Sequence, residues 1–178
     1  MVQYTDQYQS PLGPITLASD GTSLTGLWFD GQKYFAATLG ENRQDGHLPV
    51  FRQTKKWLDR YFAGEQPDFM PALSPAGSPF RQAVWDMLRQ IPYGTVMTYG
   101  AIAKKMADQL GKPGLFAQAV GGAVSHNPIS ILIPCHRVVG QNGSLTGYAG
   151  GLDRKIQLLT LEKTPMDKLF RPKKGTAL

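Results

Sequence analysis

The chain has 178 residues, 42% of them hydrophobic and 18% charged, with one cysteine, three histidines and a formal net charge of +6. That fills one large domain or two small ones, and a lone cysteine excludes an internal disulfide and any cysteine-rich zinc site. The amino terminus lacks the basic and apolar regions of a signal peptide, and no apolar run reaches the length of a membrane span, so a cytoplasmic protein without a membrane partner is expected.

Residues 12–18 and 24–29 read as strands around Asp20-Gly21, a turn signal. Residues 34–39 fit a short strand or a helix. Phe51, Lys55, Leu58 and Phe62 fall at helical spacing and predict a helix over 50–62. Residues 64–79 carry Pro67, Pro71, Pro75 and Pro79 and read as an extended linker. The charge divides there. Residues 1–76 hold six Lys/Arg against eight Asp/Glu, whereas residues 77–178 hold 13 against five, a net +8. A basic half points to a polyanion partner; the plainer reading is a basic surface kept for solubility.

Ser78-Pro79 is a helix start, with serine as cap and proline in the first turn. Phe80, Val84, Leu88 and Ile91 mark its buried face, and Pro92-Tyr93-Gly94 stops it. Thr98 caps a second helix with Ile102, Met106 and Leu110 on one face. A third helix is expected over 115–125, with Phe116, Ala119, Val120 and Ala123 inward, ended by Asn127-Pro128. The pair forms a helix-turn-helix candidate, a weak signal by itself. The third helix is rich in small residues, among them Ala119, Gly121 and Gly122, and each helical glycine costs about 1 kcal/mol relative to alanine. A close approach by the backbone would account for them. Residues 129–133 are rich in β-branched residues and read as a buried strand ended by Pro134. Residues 138–145, with Asn142-Gly143, have a hairpin signature that would form a wing. A last helix runs from Leu152 to near Glu162.

The organising stretch is Pro134-Cys135-His136-Arg137. A free cysteine is usually a small core residue. Beside an imidazole it is also a candidate nucleophile, because only a few per cent of a free thiol is ionised at neutral pH and a base raises that fraction. An acid such as Glu162 could orient the imidazole in turn, a Cys-His-Glu relay with the logic of the serine triad. Each member also has an ordinary reading: Glu162 as a solvated charge, His136 bonding a carbonyl.

Ile-Pro-Cys-His-Arg-Val at 133–138 resembles the active-site signature of the 6-O-alkylguanine-DNA alkyltransferases, the methylated-DNA–protein-cysteine methyltransferases. The resemblance extends through Ser78-Pro-Phe-Arg-Gln-Ala-Val-Trp85, Ile91-Pro-Tyr-Gly94, Thr98-Tyr99-Gly100, Ala119-Val-Gly-Gly-Ala123, Asn127-Pro128 and Gly147-Tyr-Ala-Gly-Gly151, in family order. It implies an α/β (α+β) chain: a strand-rich N-terminal scaffold with one helix over 1–76, then a mainly helical winged helix-turn-helix catalytic domain over 77–165. Residues 166–178 are expected to be a basic, flexible tail.

The resemblance also implies a reaction and a set of site residues. The third helix enters the minor groove of double-stranded DNA and the alkylated base is flipped out beside Cys135, which keeps the alkyl group in a single turnover. The substrates are 6-O-alkylguanine and 4-O-alkylthymine. His136 acts through a water as base and Glu162 holds it. Tyr99 contacts the base and helps rotate the nucleotide. Asn127 shapes the turn before the nucleophile. The Val138 carbonyl, Tyr148 and the Ala149 amide line the base pocket. Gln118, Ala119, Gly121, Gly122 and Arg137 contact DNA. Gln118 stands where the family usually carries an arginine that fills the vacated stack. No cofactor or metal is required, and the protein is expected to act as a monomer. Two other readings remain at this point: a non-enzymatic winged-helix lesion sensor or regulator, which the presence of Cys135 argues against, and a cysteine hydrolase, for which no oxyanion-hole signature is visible.

Overall fold

The structure is a computed structural model and describes residues 1–112, 114 and 117–173. The chain divides into two compact units, one of Met1–Ala76 with Pro128–Leu132, the other of Gly77–Asn127 with the chain from Ile133 onward.

The first unit is built on strands β1 (Gln3–Ser10), β2 (Gly13–Ser19), β3 (Leu24–Phe29) and β4 (Arg43–Asp45) in the order β3-β2-β1-β4. The first three pair antiparallel through short turns, while β4 adds parallel to β1. Helix α1 (Pro49–Phe62) buries Phe51, Trp57, Leu58 and Tyr61, and the sheet buries Ile15, Leu17, Leu27, Trp28 and Phe29. Residues 34–39 are neither strand nor helix; they form successive turns in which Tyr34 and Ala36 take positive φ. The linker is extended, but part of it is pinned: Leu24 N donates to Ala72 O and Ser74 N to Leu24 O, both at 2.8 Å.

The edge of β3 also holds the segment that precedes the cysteine. Leu27 N donates to Pro128 O at 2.8 Å and Ser130 N to Leu27 O at 2.9 Å. Residues 128–132 therefore belong to the first unit rather than to the 77–165 domain expected for them. The expected strand over 129–133 is corrected as well. One bridge forms at Ile129, then Ile131 turns to φ 70° and the chain bends away. The apolar run reflects complete burial, with Ile129, Ile131 and Ile133 all at most 1% exposed, and not a ladder.

In the second unit helices α2 (Pro79–Leu88), α3 (Tyr99–Leu110) and α4 (Ala117–Ser125) pack together ahead of α5 (Leu152–Leu161). The caps act as the sequence suggests. Ser78 Oγ accepts from Arg81 N, Thr98 Oγ1 accepts from Ala101 N, and Gly111 ends α3 in the left-handed conformation. Ile102 and Met106 are buried, but Leu110 is exposed, and in α4 Val120, Ala123 and Val124 face inward whereas Ala119 faces out. Phe116 lies outside the described residues.

The expected wing hairpin is not a hairpin. Strand β6 (Val138–Val139) pairs parallel with β5 (Met97–Thr98), and Ser144 bridges Phe170 instead. Asn142 and Gly143 do take the positive φ that a tight two-residue turn needs, and Gly140 N donates to Ser144 O at 2.7 Å, but beyond that closure the flanking residues pair elsewhere. The tail is corrected for the same reason: Leu145 N donates to Phe170 O, Phe170 N to Gly143 O, and Met166 and Leu169 pack on Val139, Leu145 and Leu159. Residues 174–178 of that expected tail lie outside the described residues. Among the described residues no helix is long and apolar enough to cross a membrane.

Candidate active site

Cys135 opens a single 3-10 turn, Cys135–Arg137, and is only 5% exposed. The turn is entered through Pro134, and Asn127 Nδ2 holds the approach by donating to Ile133 O at 2.8 Å. The Asn127 side chain also hydrogen-bonds the thiol. Burial pushes the Cys135 thiol above its ordinary value, and Asn127, the charge of Lys155 and the local amides only partly oppose it. At rest the sulfur therefore keeps its proton, and reaction requires a base.

The candidate base is adjacent and sealed from solvent. His136 Nε2 donates to Glu162 Oε1 at 2.7 Å, both side chains being 0% exposed. The bond assigns the imidazole proton to Nε2 and leaves Nδ1 as the acceptor. Among the described residues Nδ1 has no hydrogen-bond partner. Burial lowers the His136 pKa, with Arg137 and Lys155 adding to the effect and Glu162 opposing it. Burial would raise Glu162, but its bonds to His136 and Arg137 prevail and hold the carboxyl below the usual range. A neutral imidazole on an ionised carboxylate, with one open lone pair, is the resting state of a general base.

Arg137 stands elsewhere than expected. Its Nε donates to Glu162 Oε2 at 2.9 Å, Nη2 to Oε1 at 2.8 Å and Nη1 to Ile91 O at 2.7 Å, with 11% of the side chain exposed. A guanidinium committed to a buried carboxylate is not available to a phosphate, so Arg137 is removed from the DNA contacts.

Lys155 escaped the reading of the sequence. It is fully buried on α5, where Nζ donates to Val138 O and, at 2.7 Å, to Thr146 O. Burial lowers its pKa to about 8, against an opposing pull from Cys135. The signal was available, because Leu152, Lys155, Ile156 and Leu159 share one helical face and a lysine on an apolar stripe has been placed there for a partner. The Val138 carbonyl, expected to line the base pocket, already accepts from Lys155 and keeps one lone pair.

Tyr99 begins α3 and donates to Gly147 O at 3.2 Å, so close that a side chain at Gly147 would collide with the hydroxyl. Burial and then Cys135 push its pKa up, so it stays a donor. Tyr148 sets its ring edgewise to His136, centroids 6.4 Å apart, and Ala149 beside it is half-buried. Cys135, His136, Glu162, Asn127, Tyr99, Val138 and Tyr148 thus converge. Gln118 and Ala119 lie apart on the exposed side of α4, with Gly121 and Gly122 half-buried there. A Cβ at Gly121 or Gly122 would meet nothing within 4 Å. Among the described residues no group of three or more His, Cys, Asp or Glu could hold a metal ion.

Residues 79–164 match the 6-O-methylguanine DNA methyltransferase DNA binding domain, and residues 4–75 match the ribonuclease-like domain of the same family. The chain belongs to the 6-O-methylguanine DNA methyltransferase family. The methylated-DNA–protein-cysteine methyltransferase of Mycobacterium leprae is 47% identical over 154 residues, 86% of this chain and 88% of that protein. The Haemophilus influenzae protein of the same name is 44% identical over 163 residues, 91% and 87% of the two chains. A crystal structure of Mycobacterium tuberculosis OGT in complex with DNA superposes with a TM-score of 0.75 at 44% identity, covering 94% of this chain and 97% of that one. Membership in this methyltransferase family agrees with the chemistry just described: a protonated buried thiol, a neutral base and an acid fixed behind it.

Proposed function

We infer that this chain is a DNA-repair methylated-DNA–protein-cysteine methyltransferase, which takes the alkyl group from 6-O-alkylguanine, and by the same chemistry from 4-O-alkylthymine, onto Cys135. The observation that carries the reading is the buried His136–Glu162 bond beside the cysteine, with His136 Nδ1 open. His136 takes the thiol proton directly or through a water. The sulfur forms a bond to the alkyl carbon as the carbon–oxygen bond breaks, and the electron pair leaves on the base oxygen. In this reading the Tyr99 hydroxyl and the amide at Ala149 donate hydrogen bonds to that departing oxygen, and the released base is neutralised by a proton from solvent or by the one His136 took from the sulfur, so the protons balance. A thioether has no leaving group that these residues activate, so each molecule reacts once and no cofactor takes part.

A cysteine 5% exposed is beyond the reach of a base still in the duplex, so the nucleotide must leave the stack. The open face at Gly121 and Gly122 supports α4 as the element laid into the minor groove, since no contact among the described residues accounts for those glycines. Gln118 then fills the gap left by the base. The relay and the DNA-facing helix lie on one chain, which supports action as a monomer, and the lone cysteine suits the cytoplasm.

Incubation with duplex DNA carrying 6-O-methylguanine should place one methyl group on Cys135, read by mass spectrometry of its peptide, and transfer should stop at one equivalent per protein. Cys135→Ser should abolish transfer and retain DNA binding. Binding without an adduct on the unaltered protein would make the chain a lesion sensor, and repeated turnover would overturn the single-use mechanism.

A further inference from the structure

Glu162 Oε1 is the meeting point of two donors, His136 Nε2 at 2.7 Å and Arg137 Nη2 at 2.8 Å, and the Glu162 side chain is closed from solvent. Consider the pair without the arginine. A buried carboxylate that loses its bonded cation raises the proton affinity of the imidazole it holds, and the cheapest remedy is a proton there. An imidazole already protonated cannot accept the proton of a thiol. With the guanidinium present the carboxylate is already balanced, and adding a proton to His136 would bury a net positive charge.

We propose that Arg137 is a positioning residue of the proton relay: its fork fixes Glu162 on His136 Nε2 and balances the buried carboxylate, so that the imidazole rests neutral with Nδ1 ready for the thiol proton. The proposal rests on the alkyl-transfer reading and adds a residue to it. The fork is itself held in place. Arg137 Nη1 donates to Ile91 O, and the guanidinium lies 5.7 Å from the Tyr93 ring centroid. A Cβ at Gly94, whose φ is 76°, would come 3.2 Å from the Glu162 backbone carbonyl, so the Ile91-Pro92-Tyr93-Gly94 turn abuts the guanidinium and the main chain that carries its carboxylate. The motif thereby acquires a purpose beyond stopping α2, which is to seat the arginine.

The other charged and titratable groups around His136 are Lys155 and Glu162 from the region of α5, Cys135 and Arg137 from its own turn, and Tyr148 from the preceding loop. Tyr93 faces the Arg137–Glu162 pair. Of these Arg137 is the cation bonded to the carboxylate that holds His136. During transfer one proton passes from sulfur to Nδ1, while Glu162 and Arg137 keep their charges throughout. The net charge of the cluster is unchanged until the base leaves.

The test is the titration of His136 by NMR together with single-turnover methyl transfer at about pH 6 and pH 8, in the native protein, Arg137→Gln, Arg137→Lys and Arg137→Gln/Glu162→Gln. Arg137→Gln should raise the His136 pKa to about 7 or above, at which the neutral fraction, and with it the transfer rate at pH 6 relative to pH 8, falls about tenfold. The double variant, which removes both charges, should bring the His136 titration back toward the native one. Arg137→Lys keeps the charge but loses the fork, so its rate should fall with the pH ratio preserved. A uniform loss of rate in Arg137→Gln, with the His136 titration and the pH ratio unmoved, would reduce Arg137 to a structural prop and overturn the proposal. Should Arg137→Gln fail to fold, Arg137→Lys decides, because a displaced His136 titration despite the retained charge overturns it equally. A native protein that leaves no methyl group on Cys135 would defeat the functional reading instead, and the titration would show that separately.

Discussion

Gly121 and Gly122 lie in the middle of α4 with ordinary helical backbone, and among the described residues a Cβ at either would meet nothing within 4 Å. Within the folded chain they are therefore a pure loss, about 1 kcal/mol each relative to alanine. Replacing both by alanine should stabilise the protein by roughly 1–2 kcal/mol. At about 2–4 °C per kcal/mol for a chain of this size, the melting temperature should rise by roughly 2–8 °C. The two new methyl groups would stand on the face that the proposed mechanism lays against DNA. Backbone closeness is then lost, and transfer from duplex 6-O-methylguanine should slow by about tenfold or more, the equivalent of about 1.4 kcal/mol. Free alkylated guanine base needs no groove, and its reaction should be unchanged. The assay is a melt of each variant alongside single-turnover kinetics on both substrates. A double variant that melts higher and still repairs duplex DNA at the native rate would show that α4 does not approach DNA through these glycines.

Gln118 is exposed on the same helix, and Gln118→Ala should slow duplex repair while sparing the free base, whereas Gln118→Arg should accelerate duplex repair; native kinetics for Gln118→Ala on duplex DNA would remove it from the stack. Glu162 has a folded pKa of about 2, below the unfolded value of about 4.3, so the stability it adds is full above the unfolded value and is lost as pH falls through the folded one. Urea midpoints of the native protein should thus drop more steeply between about pH 4 and pH 2 than those of Glu162→Gln, and parallel curves would contradict the depressed carboxyl. The second half of the chain, net +8 in residues 77–178, should bind duplex DNA with an affinity that falls log-linearly with salt. Binding that is flat from low to moderate salt would argue against phosphate contacts.

By itself the sequence determined whatever depends on near neighbours. Ser78 and Thr98 cap their helices, Gly111 ends one, and Asn142-Gly143 turns the chain, because each acts on backbone groups within a few residues. The adjacency of Cys135 and His136 is likewise covalent, and together with the motifs around it that adjacency pointed to the nucleophile. Only the tertiary structure decided who serves whom. Arg137 carries a charge that reads equally well as a phosphate contact, and it became the partner of Glu162 because α5 ends where the 3-10 turn points. Lys155 shares an apolar helical face, but that its ammonium sits between the Val138 and Thr146 carbonyls is set by the fold alone. The run at 129–133 has the composition of a strand, yet the edge of β3 offers it a single bridge, and Ile131 bends the rest away. Burial and pairing across such sequence distances depend on which surfaces meet. Local propensity carries no record of that, which is why the fold class and the nucleophile were legible in the chain while the charge balance behind the base was not.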